Sequence, residues 1–453
     1  MIRGLNSSRL IVAVSAALTA VVVAQQPASK APAGRPPVLV EGARMLDVAR
    51  GRYSAPSSVY IENGRIRSVT PEAPASIPDG TVRVQAAGSV IVPGLIDVHA
   101  WAAPAPGLEA DYFYLMGLAH GVTGYRVMNV RTSWGVAQRE RSISGAIVAP
   151  RLWTSGRGID QGASPDRWLF DATDPAAAAG EVRRQVDAKV NWIAGYDSLT
   201  PDVYRAMTAE ARRAGVRVSG QPGASSMIDL AAAGVASIET LAYPLRPRSG
   251  PAADAWLAAA ARDLNALQAR LVRGRITMVP MLAAAMAGAF PEDVVDDPSL
   301  ALLPEAGRAA LKASLAKRSA ADVAKAKRAW TSQAAFVKRL VSAGGRVAAG
   351  TGFELGGYPP PGIGLHRELA ALVRAGLTPI EAIRAATSTA AELVGAKPST
   401  VRFTPGADAD FIVVSGDPLK QIEALVNVTH VVRAGEVFDP KVLLARATRV
   451  KGK

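Results

Sequence analysis

The chain of 453 residues contains no cysteine and only four histidines, and aromatic residues make up 5% of it. The absence of cysteine excludes disulfide bonds, thiolate metal ligands and a cysteine nucleophile. Any metal ion would therefore have to bind histidine and carboxylate side chains. With 49% hydrophobic residues, a chain of this length can bury an apolar core that holds the fold without crosslinks.

Acidic residues are fewer than basic ones, and the formal net charge is +14. The lysines and arginines are spread along the sequence, and no basic run is interleaved with aromatic residues as a nucleic-acid groove would require. We therefore expect solvated helix faces to carry most of the positive charge, and we expect no nucleic-acid partner.

The first 24 residues have the pattern of a signal peptide. Arg3 and Arg9 precede an apolar stretch at residues 10–23, and Val22-Val23-Ala24 offers the small residues that a signal peptidase recognises. About 14 apolar residues are fewer than the ~20 that span a bilayer, which favours a cleaved signal over a membrane anchor. Residues 25–37, rich in Pro and Ala, are predicted to form a flexible leader. The mature protein is thus predicted to be exported to the periplasm or the extracellular space, without membrane attachment.

Two short β-rich segments flank a long region in which strands and helices alternate. Residues 38–90, with an Asn63-Gly64 hairpin turn, and residues 397–440 are predicted to pair into one discontinuous β-sandwich. Residues 91–396 have the length of a (β/α)8 TIM-like barrel, and the fold class is therefore α/β. The longest helical patterns cover residues 251–275 and 304–343, and residues 441–453 form a basic tail. The predicted barrel strands are 90–95, 124–130, 151–155, 191–194, 217–220, 236–239, 276–281 and 346–351.

The most informative motif is at residues 93–101, Pro-Gly-Leu-Ile-Asp-Val-His-Ala-Trp. Two positions two residues apart lie on the same face of a strand, so His99 and the side chain at 101 are neighbours. A His-x-His pair there would bind one metal ion. This chain has Trp101 instead, and an indole N–H is a hydrogen-bond donor that cannot ligate a metal.

Together with further segments, this motif resembles the amidohydrolase superfamily, in its imidazolonepropionase- and prolidase-like branch. The resemblance covers nearly all of the mature chain. Its most specific block is Pro-Gly-Ala-Asp-Ala-Asp-Phe at 405–411 with Gly-Asp-Pro-Leu at 416–419, which indicates descent rather than catalysis. The other matching segments are 89–99, 119–123 (Ala-His-Gly-Val-Thr), 199–220, 233–239, 349–351 and 365–387.

The resemblance implies a divalent metal, usually zinc, held by histidines, sometimes a carboxylated lysine, and an aspartate that also moves protons. Only the first histidine of the pair, His99, is retained here. One histidine cannot hold a zinc ion that requires three or four ligands, so no metal cofactor is expected. The substituted positions are Trp101 (histidine), Ala194 (lysine), Gln221 (histidine), Thr240 (histidine) and Gly352 (aspartate).

The remaining candidates are one histidine and one acid. His366 precedes a helix and is placed near the pocket, whereas His120 and His430 are interpreted as structural. Glu354 is the only acid close to the lost aspartate, and it would form a metal-free general base if it met His99. No orienting carboxylate for His99 is evident in the sequence, and Asp97 is interpreted as a packing residue, so His99 is interpreted first as a hydrogen-bonded relic.

Three classes of function stay open. The first, which we favour, is an exported amidohydrolase-family protein with a degraded metal site. It would be non-hydrolytic or weakly active, and bind a small neutral organic ligand through Trp101, Gln221 and Thr240 in the barrel mouth. The second is an active hydrolase of carbon–nitrogen bonds with a metal-poor or metal-free mechanism. The third is an interaction module that uses its basic surface. The sequence predicts neither the ligand nor the oligomeric state.

Overall fold

The computed structural model describes residues 34–102, 109–162, 169–352 and 358–450. The predicted signal peptide and most of the predicted leader lie outside the described residues. No helix in these ranges combines the length and the apolar composition that a membrane crossing requires. The described strands are β1 (Val38–Asp47), β2 (Arg52–Tyr53), β3 (Ser57–Glu62), β4 (Arg65–Thr70), β5 (Val82–Gln85), β6 (Val90–Pro93), β7 (Leu95–Ala100), β8 (Val122–Val127), β9 (Arg151–Thr154), β10 (Ile159–Asp160), β11 (Phe170–Asp171), β12 (Trp192–Gly195), β13 (Arg217–Gly220), β14 (Ser237–Glu239), β15 (Thr277–Val279), β16 (Arg346–Val347), β17 (Phe411–Val414), β18 (Val428–Arg433) and β19 (Glu436–Phe438).

The helices follow the barrel strands and extend to the C-terminal region. Three short 3-10 helices lie among the described residues, at Pro298–Leu302, Pro398–Val401 and Ile422–Val426. The α-helices of the described ranges are α1 (Ala110–Ala119), α2 (Thr132–Ser144), α3 (Pro175–Asp187), α4 (Pro201–Arg213), α5 (Met227–Ala233), α6 (Ala252–Leu257), α7 (Ala261–Arg273), α8 (Leu282–Ala289), α9 (Pro291–Val295), α10 (Glu305–Ala316), α11 (Ala320–Ser342), α12 (Ile363–Arg374), α13 (Pro379–Ala385), α14 (Ser388–Val394) and α15 (Pro440–Val450).

Strands from both ends of the chain form one mixed sheet. Within the described residues it has nine strands, and its main path runs β19-β18-β17-β6-β1-β3-β4, with β2 and β5 also paired to β1. β17, from the C-terminal part, pairs antiparallel with β6, and β6 pairs parallel with β1. A register shift between Val40 and Ala43 bends β1, and side chains from both halves of the sheet share one apolar cluster that includes Ile61 and Phe411. The β-rich unit is therefore built from both flanks.

The central part of the chain forms a barrel of parallel strands. β7, β8 and β9 pair in that order, and β12 to β16 continue in chain order in a second parallel sheet. The two sheets are joined by backbone hydrogen bonds, from Val98 N–H to the Ala349 carbonyl (3.1 Å) and from Asn191 N–H to the Thr154 carbonyl (2.9 Å). Trp153 and Trp192 fill the interior together with Ile96. The predicted fold class, a (β/α)8 barrel with a separate β-rich unit, is confirmed.

The first predicted barrel strand, residues 90–95, was placed wrongly. Residues 90–93 are β6 and pair with β17 in the composite sheet, and the barrel begins with β7 at Leu95. The two strands meet at Gly94, where a Cβ atom would collide with the side chain of Thr123. The apolar run is continuous in the sequence because both strands are buried, so hydrophobicity alone does not separate them.

The C-terminal residues predicted as a basic tail are mostly helical. Residues 440–450 form α15, which packs against α1 and buries Leu443 and Ala447. Its basic side chains point away from this apolar stripe, so the charge of the segment is compatible with an ordered helix.

Candidate functional site

His99 is held by side chains from two directions. The carboxylate oxygen Oε2 of Glu239 lies 2.8 Å from its Nδ1 atom, and the indole Nε1 of Trp101 donates to its Nε2 atom at 3.4 Å. Because a carboxylate accepts and an indole N–H donates, the ring carries its proton on Nδ1 and keeps a lone pair on Nε2. His99 is 5% exposed, whereas Trp101 is half-buried at the end of β7.

Glu239 is the orienting carboxylate that sequence reasoning did not find. It ends β14, is 1% exposed, and accepts hydrogen bonds from Arg126 Nη2 (2.7 Å) and from the Ser237 hydroxyl (2.5 Å). Burial alone would raise the pKa of this carboxyl, but the charge of Arg126 and the bonds from His99 and Ser237 lower the pKa to about 2. Glu239 is therefore ionised, and the expectation that His99 lacks a partner is wrong.

Arg126 completes the cluster from β8. Its side chain is fully buried, donates from Nη1 to the Ser237 hydroxyl at 3.1 Å and from Nε to the Val98 carbonyl, and its guanidinium lies 4.6 Å from the centre of the Trp192 ring. Its neighbour Tyr125 points outward, where its hydroxyl would meet a side chain at Gly117. Strand alternation therefore places Arg126 inward, and one charged residue in an otherwise uncharged strand is the pattern that could have identified it.

Asp97 joins β7 to the segment that follows β16 rather than acting on the ring of His99. Its Oδ1 accepts from the backbone N–H of His99 (3.0 Å) and of Thr351 (3.1 Å), and its Oδ2 accepts from the Thr351 hydroxyl (2.6 Å). Burial raises the pKa of Asp97 to about 6, although these hydrogen bonds by themselves would lower it. The approach of the two strands requires Gly350, where a Cβ atom would lie 2.8 Å from the His99 Cβ. Asp97 is thus a structural residue, as interpreted from the sequence.

Two of the predicted pocket residues are packed together beside His99. Trp101 contacts an apolar cluster that contains Ala194, Met128 and Tyr196. Ala194 stands on β12 at the position of the lysine implied by the resemblance, and its methyl group faces this cluster. The cluster beside Trp101 therefore carries no charge.

Three further predicted pocket residues lie at or just past the ends of parallel strands, and all three are half-buried. The backbone N–H of Gln221 donates to the Gly195 carbonyl (3.2 Å), and that of Thr240 donates to the Val279 carbonyl (2.9 Å). The N–H of Gly352 donates to the His99 carbonyl (2.9 Å), which places that glycine directly beside the histidine.

His366, predicted near the pocket, is not brought to this cluster. Nε2 of His366 donates to the His120 carbonyl at 2.7 Å, so this histidine contacts α1. Glu354 lies outside the described residues. His120 bonds its own helix, from Nδ1 to the Met116 carbonyl (2.8 Å), and His430 is in β18 of the composite sheet.

The residues at the positions implied by the resemblance do not fit a zinc ion. In residues 34–102, 109–162, 169–352 and 358–450, no three His, Cys, Asp or Glu side chains are close enough to hold a metal. His99 offers only Nε2 as a ligand atom, since its Nδ1 donates to Glu239, and Trp101, Ala194 and Gly352 offer no side-chain ligand. The permanent charge of Arg126 on the same carboxylate opposes a second cation.

The fold and the His99–Glu239 pair define a class of protein. It is a (β/α)8 barrel with a composite β-sheet, and its polar site lies at the C-terminal ends of the barrel strands. The chain belongs to the amidohydrolase family, whose model matches residues 90–438, and this places it in a family of hydrolases. It is 28% identical to the ochratoxinase of Aspergillus niger over 382 residues, which cover 77% of this chain and 75% of the relative.

Solved structures share the fold over most of both chains. The bottromycin amidohydrolase superposes with a TM-score of 0.71 at 21% identity, covering 92% of this chain and 91% of the other. A Xaa-Pro dipeptidase with bound methionine in its active site has a TM-score of 0.68 at 18% identity, covering 89% and 100%. At these identities the likeness concerns the fold.

Proposed function

We propose that this protein is a metal-independent member of the amidohydrolase family that binds a small organic ligand in the barrel mouth, with little or no hydrolytic activity. The observation that carries the proposal is the poverty of ligands around His99. His99 offers a single ligand atom, Nε2, and in the described residues no group of three or more His, Cys, Asp or Glu side chains could hold a metal ion. A zinc ion lowers the pKa of bound water from 15.7 to roughly 7, and this supply of hydroxide is lost without it.

The surroundings of His99 suit a neutral ligand. Arg126 and Glu239 cancel each other's charge at the base of the site, and the half-buried Trp101 beside His99 packs on an apolar cluster that carries no charge. Aromatic and apolar walls with a few fixed polar atoms are typical of small-molecule sites.

Metal content is the first test. The wild-type protein, incubated with excess zinc and dialysed, is expected to retain far less than one equivalent, and a chelator is expected to leave its Tm unchanged. A site that bound zinc only in the folded state would contribute about 4 kcal/mol at a thousandfold excess over Kd. The matched control is His99→Ala: zinc retained equally by both proteins is bound elsewhere. One equivalent that is lost in His99→Ala, together with a chelator-sensitive Tm, would overturn the proposal.

A second candidate function is hydrolysis of carbon–nitrogen bonds without metal. The observation in its favour is the His99–Glu239 pair, because an imidazole oriented by a carboxylate can act as a general base through the lone pair on Nε2, which here accepts only a long bond from Trp101. Purified protein should be assayed with dipeptides and N-acylated amino acids in the presence of a chelator. The first proposal expects no release of product above buffer. Chelator-resistant turnover that falls by about 10²-fold or more in His99→Ala would establish the second.

We further propose that the protein is exported, on the basis of the charged start, the apolar stretch and the small residues at 22–24. N-terminal sequencing of protein produced in its natural host should give a mature chain that begins near Gln25. Recovery of intact Met1 from the soluble intracellular fraction would contradict this.

A further inference from the structure

Arg126 crosses the interior of the barrel. It belongs to β8, and the two side chains it binds, Ser237 and Glu239, belong to β14, which is on the opposite side of the strand order β7-β8-β9-β12-β13-β14-β15-β16. Its side chain is 0% exposed, and the carboxylate that it meets also holds Nδ1 of His99. An unpaired charge in such surroundings is strongly unfavourable, so the guanidinium and the carboxylate depend on each other.

We propose that Arg126 is a positioning residue for the ligand site: by its charge it keeps Glu239 a carboxylate, and Glu239 in turn fixes the proton of His99 on Nδ1. In this tautomer the ligand-facing atom of His99 is the acceptor Nε2. This inference rests on the proposed ligand-binding function and adds the class of ligand to it.

A hydrogen-bond donor is the group that fits Nε2. In the structure Trp101 Nε1 donates to this atom at 3.4 Å, which is longer than an ordinary N–H···N or N–H···O bond, so a better donor can replace it. The neutral Arg126–Glu239 pair favours neither an anion nor a cation. The ligand class is therefore a neutral molecule that presents an amide N–H or a hydroxyl to His99 and an apolar or aromatic body to the half-buried ring of Trp101.

The tautomer of His99 tests the role of Arg126 directly. Side-chain 15N NMR of the full-length protein is expected to show Nδ1–H in the wild type. In Arg126→Met the buried carboxyl takes up a proton and donates to Nδ1, so the ring proton should move to Nε2. Arg126→Lys keeps a positive charge and should keep the wild-type tautomer, which a purely space-filling role would not predict.

The control is Arg217→Met. Arg217 lies 5.9 Å from the same Trp192 ring but donates to the carbonyls of Glu392 and Leu393, so its loss should leave His99 unchanged. Should Arg126→Met fail to fold, Glu239→Gln tests the same link, and a mixture of the two tautomers is expected. Nδ1–H alone in Arg126→Met, or in Glu239→Gln, would overturn the role of Arg126.

Three probes test the ligand class by calorimetry. Benzamide has an N–H donor, N,N-dimethylbenzamide has none, and benzoate is an anion. Wild type and Arg217→Met are expected to bind benzamide about tenfold more tightly than either of the others, the size of one hydrogen bond to a neutral group. Arg126→Met should lose this preference.

The outcomes separate the two proposals. If the wild type binds none of the three probes, or binds benzoate best, the ligand class is wrong, while the NMR result still decides the role of Arg126. If the wild type holds stoichiometric zinc, the proposed function fails whatever the tautomer is.

Discussion

At the scale of single residues, partners decide what a side chain can do. The presence of His99 alone does not indicate a function. With Glu239 bound to Nδ1, its ring has a fixed tautomer and a defined acceptor atom, Nε2. Glu239 in turn is ionised in a buried position because the charge of Arg126, with the hydrogen bonds from His99 and Ser237, outweighs the effect of burial on its pKa. The chemical character of this barrel follows from three residues acting together.

His366 gives a prediction on the pH dependence of stability. Its Nε2 donates to the His120 carbonyl, and its Nδ1 has no hydrogen-bond partner in the described part of the chain. Burial lowers the pKa of His366 to about 4, assisted by the charges of His120 and Arg367 and opposed by the bond to His120. The unfolded chain, with a pKa near 6.5, takes up this proton first. The contribution of His366 to the free energy of unfolding should therefore fall as the pH is lowered from about 6.5 to 4, by about 3 kcal/mol.

Urea unfolding of the wild type and of His366→Gln at several pH values checks this. The advantage of the wild type should shrink steadily below pH 6.5. Burial raises the pKa of Glu368 to about 7 and of Asp97 to about 6, which makes stability change in the opposite sense, but both groups are present in both proteins and cancel in the difference. Two parallel curves between pH 7 and 4 would refute the prediction.

At the scale of elements, local sequence patterns predicted where the longest helical regions lie, but not where one helix ends and the next begins. The helical patterns at 251–275 and 304–343 are each two helices in the structure. The break before α11 has a recognisable cause: Ser319 and Asp322 form a capping box, with the Asp322 N–H donating to the Ser319 hydroxyl and the Ser319 N–H donating to Asp322. The start of α7 at Ala261 has no side-chain cap, so its sequence offered no comparable sign.

The N-terminus of helix α8 is capped by a residue from another helix. Its own N-cap, Met281, provides no side-chain cap, and Glu368 of α12 accepts instead from the N–H groups of Leu282 (3.1 Å) and Ala283 (2.7 Å). Glu368→Ala is expected to lower the free energy of unfolding by about 2 kcal/mol, since two buried donors lose their acceptor. The control Glu305→Ala, an exposed first-turn residue of α10, should cost under about 1 kcal/mol. Denaturant unfolding at pH 8 measures both, and equal losses would argue against the cap.

At the scale of the whole molecule, a buried ion pair connects the barrel to the composite sheet. Asp410 accepts from Arg151 Nη2 of β9 (2.7 Å) and from the Ala434 N–H (2.6 Å). Burial on its own would raise the pKa of Asp410, but Arg151 and the nearby charge of Arg433 lower it. The carboxylate therefore balances two buried guanidinium groups at the junction of the two units.

Asp410→Asn keeps the size of the side chain and removes its charge. We expect a loss of about 3–5 kcal/mol in the free energy of unfolding, because Arg151 and Arg433 stay buried without a counter-charge. Glu62→Gln, which removes a surface pair with the exposed Arg67, should change stability by less than about 1 kcal/mol. Thermal and urea unfolding of both variants measure these changes. If Asp410→Asn lowered the free energy of unfolding no more than Glu62→Gln does, the junction would not depend on this ion pair.

The sequence by itself determined the fold class and the family resemblance. Alternating strands and helices predict a parallel barrel because side-chain periodicity is local, and the block at 405–419 is recognisable without any contact. The apolar run that leads to His99 and the substitution of Trp101 beside it were likewise visible. The split of residues 90–100 into β6 and β7 was not, because both strands are buried and equally apolar.

Only the tertiary structure decided which groups meet His99. Glu239 lies 140 positions away in the chain, and 113 positions separate it from Arg126. Local patterns give the element and the face on which each residue stands, but the order of strands in the closed barrel and their register decide which inward charges touch. The sequence therefore predicted, through the resemblance, which metal-ligand positions are substituted, and the closure of the barrel placed a carboxylate and a guanidinium beside His99.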